Sequence, residues 1–182
     1  MGFFVSCEND YVKNNRLMAK QIKTEIIIEE YNIEELDTQL QQLIESAKES
    51  LEKAYAPYSG FKVGAAVLLD NNHIVIGNNQ ENAAYPSGLC AERVAVFHAG
   101  SNYPDQEIKA VAIAAKPTDS TDYVQAGPCG NCRQALIEYQ NKQEADFHLL
   151  LVQPDNKVLK VKMNDLLPLR FDMDSLLGES QP

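Results

Sequence analysis

Apolar residues recur along this chain at two periods, and the switch between them marks out the elements. Over residues 34–55, Leu36, Leu40, Leu43, Ile44, Ala47 and Leu51 fall at helical spacing, while Glu35, Gln39, Gln42, Glu45 and Glu49 take the opposite face. That spacing predicts an amphipathic helix ending near Tyr55. Pro57 stops it, and Tyr58-Ser59-Gly60 makes a loop. Residues 61–69 and 73–77 flank Asp70-Asn71-Asn72 and predict a hairpin. Residues 90–99, mostly Ala, Val and Phe, predict a short buried helix with Gly100 as its C-terminal cap.

Residues 108–115 are almost wholly apolar or small, which predicts a strand buried on both faces. A helix over about 131–139 follows, then a further buried strand at 146–152. Gln153-Pro154-Asp155-Asn156 turns that strand into residues 158–161, so the last two strands are expected to be antiparallel, whereas helix-linked strands can be parallel. Residues 165–168 predict a final short turn of helix, and the tail after Asp174 is expected to be loose. The sum is an α/β fold with a mixed sheet of about five strands and helices on its faces. Residues 1–33 are read as an N-terminal extension, partly disordered, in which Ile26-Ile27-Ile28 either forms a short edge strand or packs against the body. Met18-Ala19-Lys20 offers a second start, and residues 34–182 are taken as the domain proper.

Composition narrows the function. The 182 residues carry 16 Lys plus Arg against 26 Asp plus Glu, a net charge of −10, which is the wrong sign for neutralising phosphates along a groove. Nucleic acid and anionic membrane surfaces are disfavoured as partners. No apolar run reaches the roughly 20 residues of a membrane span, and Glu8 and Asp10 break the opening apolar patch too soon for a signal-peptide core. A cytoplasmic location is expected, where thiols stay reduced.

Three of the four cysteines fall in a pattern with chemical meaning. Cys90-Ala91-Glu92 and Pro128-Cys129-Gly130-Asn131-Cys132 each begin a predicted helix, where unpaired N–H groups and the positive end of the dipole favour thiolates. Three thiolates on Zn²⁺ leave one tetrahedral position open for water, as in a catalytic rather than a structural site. Glu92 is then a general acid–base group, and Arg93 is a candidate to draw charge from the sulfurs. Taken singly, each cysteine reads as a small buried hydrophobe and Glu92 as a dipole partner; the combination argues against coincidence. The rival is a closed structural zinc site with Cys7 as fourth ligand, disfavoured because Cys7 lies in the weakest-patterned stretch. His73, His98 and His148 lack ligand spacing.

These residues resemble the cytidine deaminase family, in its smaller, three-cysteine, homotetrameric branch. Matching stretches are residues 56–66 (APYSGFKVGAA), 77–85 (GNNQENAAY), 90–93 (CAER) and 127–134 (GPCGNCRQ), in the family's order. The resemblance implies a three-layer α/β/α fold and hydrolytic deamination of cytidine and deoxycytidine in pyrimidine salvage. It implies zinc on Cys90, Cys129 and Cys132, and proton transfer by Glu92. It also implies ribose contacts from Asn79 and Glu81, packing of Phe61 on the nucleoside, and a base contact from the Ala91 backbone. Phe171 matches the aromatic of the C-terminal stretch through which neighbouring subunits complete each other's sites. Pro86-Ser87-Gly88 departs from the common pattern, and Leu167-Pro168-Leu169-Arg170-Phe171 matches it only in part. Three other readings stay open: a deaminase of another aminopyrimidine nucleoside, such as a nucleoside antibiotic, a zinc-stabilised binding module without turnover, and polynucleotide deamination, which the acidic charge weakens.

Overall fold

The computed structural model describes residues 19–178; the expectations concerning Cys7 and a start at Met18 lie outside them. Strands β1 (Ile28–Asn32), β2 (Phe61–Leu69), β3 (Ile74–Asn78), β4 (Ile108–Pro117), β5 (His148–Val152) and β6 (Lys157–Lys162) form one sheet in the order β1-β6-β5-β4-β2-β3. Helices α1 (Thr38–Glu52), α2 (Ala91–Asn102), α3 (Gly130–Gln140) and α4 (Met173–Leu177) accompany it, with short 3-10 turns at Ile33–Glu35, Tyr85–Ser87 and Asn164–Leu166. Among the described residues no helix is long and apolar enough to cross a membrane.

The sheet is mixed, as expected, with β4 and β5 parallel and the other neighbouring pairs antiparallel. It has six strands rather than five. The additional one, β1, runs antiparallel to β6 from Ile28 opposite Val161 to Asn32 opposite Lys157. Ion pairs from Glu30 to Lys157 (2.8 Å) and from Glu29 to Lys160 (3.5 Å) lie along the pairing. Only Tyr31 of its five side chains is even half-buried, so β1 has no apolar alternation for a sequence pattern to reveal. It stands on main-chain pairing at a sheet edge, ahead of the boundary expected at Glu34.

Burial explains the three layers. On one face of the sheet, Leu43, Ile44, Ala47 and Leu51 of α1 pack over Ala66, Leu68, Ala112, Ala114 and Leu150. On the other, Ala91, Ala95, Val96 and Ala99 of α2 and Leu136 and Ile137 of α3 pack over Ala65, Val67, Val111, Ile113 and Leu149. Adjacent residues of β2 and β4 thus feed opposite cores, which is why those segments read as unbroken apolar runs. Each fully buried Leu or Ile contributes on the order of 1.5–3 kcal/mol.

α1 ends at Glu52 rather than near Tyr55, β4 runs on to Pro117 and β5 starts at His148; three further differences from expectation have local reasons. α1 starts at Thr38 because Asp37 caps it, accepting from the Leu40 amide at 2.9 Å, and Ile33–Glu35 forms a separate turn. Gly100 lies inside α2 and does not end it; a β-carbon there would stand 2.5 Å from Cε1 of Tyr139, so the glycine serves the approach of α2 to α3. Order continues past Asp174 as far as Gly178, since α4 forms behind Asp172, whose Oδ1 accepts from the Ser175 amide at 3.0 Å, and ends on Gly178 in the left-handed region; the rest of the tail lies outside the described residues.

β3, β4 and β5 all point the same way. α2 follows the end of β3 and α3 follows the end of β4, so both helices begin outside the carboxyl ends of parallel strands, where open α/β sheets bind ligands.

Candidate active site

Cys90 is the N-cap of α2 and Cys129 the N-cap of α3, and in neither case does a side chain cap the first amides. Those amides point where a thiolate would lie. Cys132 sits in the first turn of α3 and is fully buried, Cys90 is half-buried and Cys129 is exposed. The three sulfurs lie within 4.8 Å of one another, and Cys129 and Cys132 are 3.5 Å apart. Tetrahedral zinc with Zn–S bonds of about 2.3 Å needs sulfurs roughly 3.8 Å apart, so the cluster fits that ion.

Electrostatics agrees with the geometry. The Cys90 thiol is drawn down to about 5, chiefly by its hydrogen bond with Cys132, with help from Arg93. Cys132 is pushed up, chiefly by that same bond to Cys90. Three sulfurs this close cannot all ionise against one another; a cation among them is what allows three thiolates.

Glu92, two residues into α2 from Cys90, is only 5% exposed. Burial lifts its carboxyl above the ordinary range, and the charge on Cys90 adds to this while its own amide and Arg93 oppose it. A carboxyl so placed exchanges a proton at a higher pH than a solvated one. Arg93 turns toward the same cluster. Its Nη2 makes a long contact with the Gly88 carbonyl (3.4 Å), and its buried Nε has no hydrogen-bond partner among the described residues. Burial works against its charge, but hydrogen bonding and attraction to Cys90 outweigh this and raise its affinity for the proton.

The other sequence-derived residues gather at the same end of the sheet. Gln80 and Leu89 exchange two backbone hydrogen bonds of 2.9 Å, which sets the loop carrying Asn79 and Glu81 directly beside the residue before Cys90. Asn79 spans the start of β2, accepting from the Val63 amide (2.8 Å) and donating to the Phe61 carbonyl (3.0 Å). Oε2 of Glu81 accepts from the Tyr58 and Ser59 amides (2.8 and 3.2 Å), and the Ser59 hydroxyl first, then these amides, hold its carboxyl below the usual carboxylate range. Phe61 is half-buried at the first position of β2, and Ala91 is fully buried at the first position of α2.

The cytidine and deoxycytidylate deaminase zinc-binding region matches residues 37–144, which hold every residue of this constellation. The chain belongs to that deaminase family. A cytidine deaminase of Halalkalibacterium halodurans is 36% identical over 136 residues, covering 75% of this chain and 96% of the relative. The probable cytidine deaminase of Dictyostelium discoideum is 33% identical over 143 residues, covering 79% and 90%. Among solved structures, the cytidine deaminase of Burkholderia pseudomallei superposes with a TM-score of 0.62 at 39% identity, covering 71% of this chain and 97% of that one. That of Mycobacterium tuberculosis gives 0.59 at 33%, covering 75% and 100%. In this deaminase fold zinc is the metal that the cluster of Cys90, Cys129 and Cys132 fits, by donor type and by spacing.

Three contributors escaped the sequence reading. Ser50 lies on the apolar stripe of α1, three residues after Ala47, and a hydroxyl on such a stripe was the available signal. Arg133 donates to the Pro128 carbonyl (2.9 Å) and the Leu166 carbonyl (3.1 Å), and Gln134 donates to the Phe171 carbonyl (2.8 Å). These last two tie the zinc helix of this deaminase to its C-terminal segment through main-chain acceptors, which side-chain patterns do not report.

Proposed function

We propose that this chain catalyses the hydrolytic deamination of cytidine and deoxycytidine to uridine and deoxyuridine, releasing ammonia, in pyrimidine salvage. The observation that carries the reading is the meeting of a three-sulfur cluster with the buried carboxyl of Glu92 at two helix N-termini. Zinc bound by Cys90, Cys129 and Cys132 supplies a Lewis acid that makes water acidic enough to attack at neutral pH.

The remaining steps belong to the chain's own residues. Glu92 takes a proton from the attacking water and delivers it to ring N3 as C4 becomes tetrahedral, then takes the proton of the new C4 hydroxyl and passes it to the departing amino group as the C4 carbonyl forms. Its raised proton affinity suits a group that must hold the proton between those two transfers. Arg93 and the first amides of α2 and α3 draw charge from the sulfurs, which keeps the metal acidic despite three anionic ligands. Asn79 and Glu81 hold the ribose hydroxyls, Phe61 packs on the nucleoside and the Ala91 backbone orients the base. Oε2 of Glu81 holds the 58–59 amides, which fixes the direction of its carboxylate.

The working unit in this reading is a homotetramer in the reducing cytoplasm, with residues 34–182 as the deaminase domain and residues 1–33 as an extension that adds β1. The exposed Leu169, Phe171, Met173, Leu176 and Leu177 support an assembly in which the C-terminal segment is covered by neighbouring copies. Ultraviolet-monitored turnover of cytidine, deoxycytidine, cytidine monophosphate and cytosine on zinc-loaded protein tests the activity. Turnover of both nucleosides with neither of the other two is expected; no turnover of any would overturn the reading. A solution mass tests the tetramer.

A further inference from the structure

Ser50 is a fully buried hydroxyl with no part in the zinc chemistry. It comes from α1, in the layer opposite α2 and α3. Its Oγ donates to the Gly77 carbonyl at 2.7 Å, and Asn78 Nδ2 donates back to it over 3.4 Å. Asn78 Oδ1 in turn accepts from Gln80 Nε2 at 2.6 Å. A polar chain therefore runs from the core of α1 to the residues on either side of Asn79.

We propose that Ser50 is a positioning residue for the sugar of the substrate, fixing the end of β3 from which Asn79 and Glu81 reach the nucleoside. The inference rests on the reading of those two residues as the ribose contacts. Its physical basis is directional. Hydrogen bonds to a sugar hydroxyl weaken steeply with misalignment, and the backbone that aims Asn79 and Glu81 is gripped at Gly77 from the α1 side. The backbone around it is otherwise tied within its own layer and to the neighbouring loops, by the Asn79 amide to the Val63 carbonyl (3.1 Å), the Tyr55 amide to the Asn79 carbonyl (3.0 Å) and the Glu81 amide to the Tyr55 carbonyl (2.9 Å). The zinc ligands are held from the other layer by α2 and α3. Loss of the Ser50 hydroxyl therefore loosens the sugar end of the site, while the metal end keeps the packing of α2 on Gly77 and the pairing of Gly77 with Ala65, neither of which uses that hydroxyl.

The test compares Ser50→Ala and Ser50→Cys with the parent protein as zinc-loaded enzyme. It measures KM and kcat for cytidine, zinc content, and inhibition by uridine and by free uracil, the product nucleoside and its base. The expected result for Ser50→Ala is a rise of roughly tenfold in KM and in the uridine inhibition constant, the size of one lost hydrogen bond. Zinc content, kcat and uracil inhibition stay at parent values. Ser50→Cys, whose thiol is a weak donor of similar size, falls between the two and carries the test if the alanine variant does not fold. Weakening of uracil and uridine by the same factor, or a lower melting temperature with KM unchanged, overturns the proposal. Asn79→Ala on the same assays separates the two levels. If it raises KM while the Ser50 variants do not, Ser50 alone is wrong; if it leaves KM unchanged, the ribose reading falls and the Ser50 role with it.

Discussion

Gly77 of β3 and Ala95 of α2 approach so closely that a β-carbon on Gly77 would stand 2.4 Å from the Ala95 amide nitrogen and 2.8 Å from the Ala91 carbonyl oxygen. The contacted atoms are helix backbone, which cannot swing aside as a side chain can. This approach seats the first turn of α2, and with it Cys90 and Glu92, against the end of β3. Gly77→Ala is expected to push α2 outward and cost about 1–3 kcal/mol. Thermal unfolding checks the loss of stability, and zinc content checks the displacement of Cys90.

Glu92→Gln keeps the shape of the side chain and removes its capacity to carry a proton. The variant is expected to bind zinc at the parent level while kcat for cytidine falls by about 10²–10⁴. Ammonia release on metal-quantified protein is the measurement, and undiminished turnover would take Glu92 out of the chemistry.

Cys129 is the exposed sulfur of the cluster, so a variant there does not open a core cavity. Cys129→Ala is expected to lose zinc and to melt at a lower temperature, because metal binding and folding are linked. A chelator should lower the melting temperature of the parent protein and leave that of the variant almost unmoved.

His148, at the start of β5, has its proton affinity lowered, first by burial and then by Lys160 and Lys162. A histidine with a depressed folded-state pKa gives its full stability above the unfolded value of about 6.5 and loses it as the pH falls toward the folded value. The melting temperature should therefore decline on acidification from about pH 6.5. His148→Gln should flatten that part of the profile, as read by thermal scans from about pH 7.5 to pH 5.

The chemistry of this protein was legible in the sequence because it depends on residue types at short range. Cys90-x-Glu92 and Cys129-x-x-Cys132 point in combination to a metal site, and apolar runs at 61–69 and 108–115 announce strands covered on both faces. Helix periodicity located α1, and turn residues located the hairpin, since both are properties of a few neighbouring side chains. The β1 strand has no distinct signature in the sequence because its pairing with β6 uses main-chain atoms and leaves four of its five side chains exposed. Gly100 looked like a helix cap for want of any view of Tyr139, 39 residues further on. Only the tertiary structure brings the three sulfurs within 4.8 Å, seats α2 on Gly77 and aims the Ser50 hydroxyl at the end of β3. Those are contacts between residues far apart in sequence, fixed by how three layers pack, and local patterning carries no record of them.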